Sequence, residues 1–266
     1  MAGLQITDLK MTAGKGASTK EILKGIDLTL EPGRITGVAG ESGSGKTMTG
    51  LSVLGINPPN THVTGRIEFD GQDLLSQSSK QLNRIRGNRI AMIFQDPSTS
   101  LHPMLSIGTQ VTDHLRQHQK VSRAAALDRA AQVLEEVRVP EPKLALKKYP
   151  HQMSGGQLQR VAIAAAIICE PEVLIADEPT TALDVTVQAG LLRLLRRLCD
   201  ERDLAIMLVT HDLGVMSALA DTISVMRLGE VVESGDREQV ITDPQHPYTK
   251  DLIDSLPAAH LEDNHG

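Results

Sequence analysis

Tryptophan is absent from this chain, and Phe69, Phe94, Tyr149 and Tyr248 are the whole aromatic complement of its 266 residues. Flat side chains on which a planar ligand could stack are therefore scarce. Cysteine is nearly as rare: Cys169 and Cys199 are too few for a disulfide framework or a zinc site, and they read as reduced, buried thiols of a cytosolic protein. No long basic stretch occurs, and the formal net charge is −6. Contacts to phosphate backbones rely on clustered Lys and Arg, which argues against nucleic acid as the main partner. The N-terminus lacks a charged start followed by an apolar run, so no secretory leader is expected. The longest apolar run, Val161 to Cys169, falls far short of the ~20 residues that span a bilayer. The chain is expected to be soluble by itself, with any membrane association made through another protein.

What is present suffices for one large domain, or for a core with an inserted lobe. An apolar fraction of 40% suits an ordinary globular core. Leu4 to Met11 and Gly25 to Leu30 alternate as strands do, with a loose Gly/Ser/Lys segment from Thr12 to Lys20 between them. Glu31-Pro-Gly33 reads as a turn, Arg34 to Ala39 as a buried strand and Lys46 to Leu54 as a helix. Gly65 to Gly71 reads as a hairpin strand closed by a glycine turn. From about Asp96 to Arg160, Pro97, Pro103, Pro140, Pro142 and Pro150 punctuate helical stretches such as Ser122 to Val137. This part is predicted to be a mostly helical lobe inserted into an α/β core. Val173 to Ala176 and Ala205 to Thr210 follow as short apolar strands, typical of a parallel sheet covered on both faces. Val187 to Leu198 has helical periodicity, Ile223 to Met226 and Glu230 to Glu233 suggest a closing strand pair, and the stretch from Asp243 reads as a tail.

Phosphate chemistry dominates the motifs. Gly40-Glu41-Ser42-Gly43-Ser44-Gly45-Lys46-Thr47 fits the pattern G-x-x-x-x-G-K-[ST] without deviation. Its glycines let the backbone curl until N–H groups point inward as an anion nest, and the helix behind adds its positive end. Lys46 is expected at the β- and γ-phosphates, and the Thr47 hydroxyl at Mg²⁺. Asp177-Glu178 ends an apolar strand; Asp177 is assigned to the Mg²⁺ shell and Glu178 to the general base for an attacking water. Alone, such a pair is more often a helix cap or a surface pair; beside a phosphate loop the functional reading takes over. His211, at the end of another core strand, is placed to hydrogen-bond the γ-phosphate. Gln95, after Met92-Ile-Phe94, offers an amide oxygen to the metal or the water. Ser154-Gly155-Gly156-Gln157 opens a helix and forms a second anion site. One chain holding one γ-phosphate has no use for two such sites. A dimer does, if the loop of one subunit closes on the nucleotide of the other.

Together these motifs resemble the ATP-binding cassette (ABC) family, over nearly the whole chain. Met153-Ser-Gly-Gly-Gln157 is similar to its signature, with Met where the family usually has Leu. Ala182-Leu-Asp184 looks like the loop that crosses the dimer interface, through Asp184, and Val209-Thr-His-Asp-Leu213 looks like the switch region. A narrower resemblance, to peptide and nickel importers, rests on Ser100 to Gly108, on Glu178 to Asp184, and above all on His246-Pro-Tyr-Thr249. Without the family, that last motif is a rigid turn with an aromatic anchor.

The resemblance implies an α/β fold: a P-loop NTPase (RecA-like) core with an N-terminal antiparallel β-subdomain and an inserted helical subdomain. The ATPase domain is expected over residues 1–240, the insert at about 96–160 and a tail over 241–266. The implied activity is ATP hydrolysis coupled to uptake, with ATP and Mg²⁺ bound. The implied assembly has a second ATPase subunit (a heterodimer with a related chain), two membrane permease subunits and an extracytoplasmic substrate-binding protein. It implies a peripheral place on the cytoplasmic side of the cell (inner) membrane. Rival readings are an exporter or lipoprotein-release ATPase, which would lack the His246 motif, a soluble cassette working on DNA or ribosomes, and a non-hydrolysing regulatory cassette. Two departures stand out. The family often stacks adenine on an aromatic residue where this chain has Ala13, leaving Met11 or nothing. Many peptide-importer ATPases carry a cysteine cluster for an iron–sulfur centre beyond the His-Pro-Tyr segment, but no cysteine follows Cys199. That difference tilts the expected cargo toward nickel or a metal chelate.

Overall fold

A computed structural model describes residues 3–14, 19–181 and 183–255, apart from the side chains of residues 98 and 99. In chain order the elements are β1 (Leu4–Ala13), β2 (Lys20–Leu30), β3 (Ile35–Ala39), α1 (Lys46–Leu54), β4 (Thr61–Phe69), β5 (Gln72–Asp73), α2 (Ser79–Ile85), β6 (Ile90–Ile93) and α3 (Pro97–Ser100). There follow α4 (Ile107–His118), α5 (Arg123–Glu136), α6 (Pro142–Ala145), α7 (Gly155–Ile167), β7 (Val173–Asp177) and α8 (Val185–Arg202). The chain continues through β8 (Ala205–Val209), α9 (Leu213–Leu219), β9 (Thr222–Arg227), β10 (Glu230–Asp236), α10 (Arg237–Thr242) and α11 (Pro247–Asp254). Compactness divides it into two units, Met1–Gln77 with Ala205–Gly266, and Ser78–Leu204.

The first unit holds an antiparallel sheet in the order β2-β1-β4-β5, and the strands β10-β9-β3-β8 side by side. In the antiparallel sheet, Leu4 and Ile6, then Leu9 and Met11, face inward as two period-two pairs with an extra residue between them. A bulge at Asp8, whose φ is 47°, resets the register against both neighbours. Gly65 faces it, and a Cβ there would lie 2.3 Å from the Asp8 carbonyl oxygen. In the other set, β3 runs parallel to both β8 and β9, and every residue of β3 and β8 is buried. Continuous apolar runs of this kind belong to strands covered on both faces. Helix α9 packs so tightly on β3 that a Cβ on Gly37 would sit 2.3 Å from the Met216 sulfur.

The second unit pairs β6 with β7 in parallel and carries the helices α2 to α8. The predicted helical stretch is occupied by α3, α4, α5 and α6 and the start of α7. Side-chain caps start most of the longer helices: Ser106 for α4, Ser122 for α5, Ser154 for α7 and Asp184 for α8. The half-buried ion pair Arg202–Glu136 ties the end of α8 to the end of α5 through two contacts, of 2.6 and 2.5 Å. Among the described residues, no helix is long and apolar enough to cross a membrane.

Candidate functional site

Strand β3 delivers the chain into the glycine loop at its carboxyl end, and α1 leads away from it. The loop glycines hold φ angles that L side chains avoid: 142° at Gly40, 81° at Gly43 and 108° at Gly45. Space adds to the demand at two of them. A Cβ on Gly40 would lie 2.1 Å from the Met226 carbonyl oxygen, and one on Gly45 would lie 2.6 Å from Leu23 Cδ2. At Gly43 it would meet open space. Lys46 is buried, and its ammonium donates to the carbonyl oxygens of Gly40 at 2.7 Å and Glu41 at 2.8 Å. Ser44 N–H donates to the Glu41 carbonyl at 3.2 Å, and Gly229 N–H to the Ser44 carbonyl at 3.0 Å. Glu41 and Ser42 are exposed, and Thr47 is half-buried on the first turn of α1.

Two observations fit this loop to an anion. No side chain caps α1, so no carboxylate or hydroxyl of the chain competes with an anion for the positive end of that helix. The Ser44 hydroxyl is buried without a hydrogen-bond partner. Such an orphan costs about 1–3 kcal/mol, which a phosphate oxygen seated in the loop would relieve. His211 belongs to the same unit. Strand β8 lies in register with β3, Val209 opposite Val38, and His211 follows it at the same carboxyl edge, exposed to solvent.

The second unit gathers its own set. Gln95 follows β6 and is exposed. Asp177 ends the neighbouring strand β7, with Ala176 opposite Ile93. Asp177 is buried, while Glu178 is half-buried with a φ of 47°. The Thr181 hydroxyl donates to Glu178 Oε2 at 2.9 Å; the sequence reading did not single out that partner. Ser154 and Gln157 form a reciprocal capping box at the start of α7. The two glycines between them differ. A Cβ on Gly155 would meet nothing within 4 Å, whereas one on Gly156 would lie 2.8 Å from Val187 Cγ1. Asp184 is exposed and caps α8 through Val187 N–H at 2.9 Å. Its neighbour Ala182 lies outside the described residues.

The register of β1 removes one expectation. Met11 points into the core, fully buried, so it is not available to stack on a base. Ala13 is half-buried at the end of the strand. The C-terminal segment also departs from a simple tail. The Tyr248 ring is buried, and its hydroxyl accepts a hydrogen bond from Glu41 N–H at 3.0 Å. The His-Pro-Tyr motif announced an anchor, but nothing in it named the phosphate loop as what it anchors.

A glycine loop between a buried parallel strand and a helix, with strand-end carboxylates elsewhere in the chain, defines the class of phosphate-loop nucleotide hydrolases. Comparison with known proteins narrows the class. The family model described as ABC transporter matches residues 23–181. The model described as oligopeptide/dipeptide transporter, C-terminal region, matches residues 232–265. The dipeptide transport ATP-binding protein DppD of Bacillus subtilis (strain 168) is 44% identical over 260 residues, covering 97% of this chain and 78% of that protein. The oligopeptide transport ATP-binding protein OppD of the same organism is 42% identical over 256 residues, covering 96% and 72%. Among solved structures, the dimeric ATP-binding cassette MJ0796 bound to ADP and Pi superposes with a TM-score of 0.78 at 28% identity, covering 88% of this chain and 98% of that one. The cassette cbiO1 from Clostridium perfringens gives 0.76 at 27% identity, with 97% and 96% covered. The chain belongs to the ABC transporter family, and it is an ATP-binding, ATP-hydrolysing subunit of an importer.

Proposed function

We propose that this chain powers the uptake of peptides, working at the cytoplasmic face of a cell membrane. The observation that carries the cargo is the match of residues 232–265 to the C-terminal region of oligopeptide/dipeptide transporters. The names of the B. subtilis relatives point the same way. The nickel reading rested on a missing cysteine cluster, and nothing in these comparisons favours it.

The roles follow from the residues. The loop of Gly40, Glu41, Ser42, Gly43, Ser44 and Gly45 wraps the nucleotide phosphates, and Lys46 neutralises them. His211 donates to the γ-phosphate from the edge of β8. Glu178 takes a proton from water as the water oxygen attacks the γ-phosphorus, releasing ADP and phosphate; Thr181 fixes one oxygen of that carboxylate. The Thr47 hydroxyl, the Gln95 amide oxygen and the Asp177 carboxylate are each hard oxygen donors of the kind that would hold Mg²⁺, which would supply charge neutralisation on the phosphates. Ser154, Gly155, Gly156 and Gln157 serve the nucleotide of a second ATPase subunit, and Asp184 lies on the shared interface. The partner is a related chain in a heterodimer. Two permease subunits and an extracytoplasmic binding protein complete the importer.

Closure is passed to the permeases through residues 95–108. That segment is well braced for the task. Gln110 accepts from His102 N–H at 2.7 Å and donates to the carbonyls of His102 at 3.1 Å and Leu105 at 2.9 Å. Met104 and Leu105 stand exposed on the braced loop. The test is uptake by cells carrying Glu178→Gln, comparing a labelled dipeptide with labelled nickel. Dipeptide uptake alone is expected to fall, with ATP still bound. Loss of nickel uptake alone would overturn the cargo, and normal uptake of both would overturn Glu178 as the base.

A further inference from the structure

We propose that Tyr248 is a positioning residue for the phosphate loop, through which the C-terminal segment sets nucleotide affinity; this rests on the nucleotide reading of that loop. The segment is built to place one hydroxyl. Both carboxylate oxygens of Glu233, on β10, accept backbone N–H groups, from Gln245 at 2.7 Å and His246 at 3.0 Å. His246 caps α11, its Nδ1 accepting from Tyr248 N–H at 3.1 Å, and Pro247 takes the first helical position. The Tyr248 ring is held beneath Arg227, whose guanidinium carbon lies 4.8 Å from the ring centroid.

The hydroxyl then meets the loop at a telling place. The peptide group linking Gly40 to Glu41 is planar, so its N–H and C=O directions are locked together. Its N–H donates to Tyr248 Oη at 3.0 Å, and its C=O accepts from the Lys46 ammonium at 2.7 Å. Holding one end of this peptide fixes the other, and with it the seat of the lysine that meets the phosphates. The next carbonyl, of Glu41, also accepts from Lys46 and from Ser44 N–H. Tyr248 is thus linked to the functional ammonium through one peptide group.

The experiment uses the full chain and two variants. Tyr248→Phe keeps the ring under Arg227 and deletes the acceptor. Glu233→Ala frees the start of α11 without altering the loop. The dissociation constant for MgATP is measured by titration calorimetry, with KM, kcat and the melting temperature alongside. Lys46→Ala is the non-binding reference, and Val240→Ala, a fully buried residue of α10, is the packing control. Tyr248→Phe is expected to raise Kd and KM on the order of fivefold, the size of one hydrogen bond, with kcat and melting temperature near wild type. Glu233→Ala is expected to move Kd in the same direction, and Val240→Ala to lower the melting temperature alone. An unchanged Kd in Tyr248→Phe, or an equal rise in Val240→Ala, would overturn the proposal and leave Tyr248 a core aromatic. Absence of MgATP binding by the wild type would instead overturn the nucleotide reading, and this proposal with it.

Discussion

Replacing Gly155 with alanine is expected to leave folding intact and cripple turnover, while the same change at Gly156 does its damage to folding. The two residues share the first turn of α7 and differ in what surrounds them. Nothing lies within 4 Å of a Cβ at Gly155. Alanine there gains helix propensity, about 0.5 kcal/mol, and raises the melting temperature by about 1–2 °C. At Gly156 the new methyl would sit 2.8 Å from Val187 Cγ1. Val187 is β-branched on a helix, where one χ1 rotamer dominates, so it has little room to yield. Overpacking of this kind costs about 1–3 kcal/mol, more than the propensity gained, and lowers the melting temperature by a few degrees. On the proposed dimer reading, a partner's phosphate approaches the helix N-terminus through the open space at Gly155. Losing a charge-assisted contact there costs about 1.5–3 kcal/mol, or roughly 10- to 150-fold in turnover. The assays are thermal denaturation of each variant and ATPase rates in the assembled transporter. Wild-type turnover in Gly155→Ala would refute the anion-site role, and an equal loss of melting temperature in both variants would refute the packing argument.

Base selectivity is expected to be weak. Stacking on an aromatic ring is worth about 1–3 kcal/mol to any base; with Met11 buried and Ala13 in the family's ring position, binding rests on the phosphates that ATP and GTP share, and GTP should bind within about tenfold of ATP. Competition titrations showing ATP far tighter would sink this. The thiols give a pH test. Burial, and then the charge of Glu170, push Cys169 up to about 11. The folded state therefore holds the thiol proton more tightly than the unfolded chain. Its stabilising contribution is complete below the ordinary value of 9.0 and is lost as pH rises through about 11. At pH 8 a thiol-specific chromogenic reagent should leave the native protein untouched and titrate both cysteines in denaturant; fast native labelling would contradict the burial.

Apolar runs and turn residues made much of the scaffold legible. The strands Ile35–Ala39, Val173–Asp177 and Ala205–Val209 were legible as short, mostly apolar runs, each within a residue of its observed ends, and Lys46–Leu54 is the helix that the glycine loop demands. The strands flanking Thr12 to Lys20 were read too short. Ladder pairing carries β1 to Ala13 and β2 back to Lys20, and hydrogen bonding between strands leaves no mark on side-chain pattern. The first half of β4 has Val63 as its one apolar residue and buries none of its side chains fully, so it offered no apolar–polar alternation to read. Register decided the fate of Met11, since the bulge at Asp8 fixes which residues of β1 face inward. The loop and strand-end residues of the site were visible as residue types at the right spacing. What the spacing could not convey was contact: Thr181 on Glu178, Val187 under Gly156, and Tyr248 reaching back across 207 positions to Glu41. Such pairings are products of the fold, and no local pattern encodes them.

The backbone at Glu178 carries an evolutionary consequence. A non-glycine residue at a φ of 47° sits in the left-handed region at a cost of about 1–2 kcal/mol. Glycine would relax that strain, and asparagine would ease part of it. Both would remove the carboxylate proposed to activate water. Natural selection for turnover and selection for a sturdier fold therefore pull this position in opposite directions. A copy of this gene released from the need to hydrolyse ATP would be expected to lose its glutamate early, drifting toward a more stable, inactive cassette.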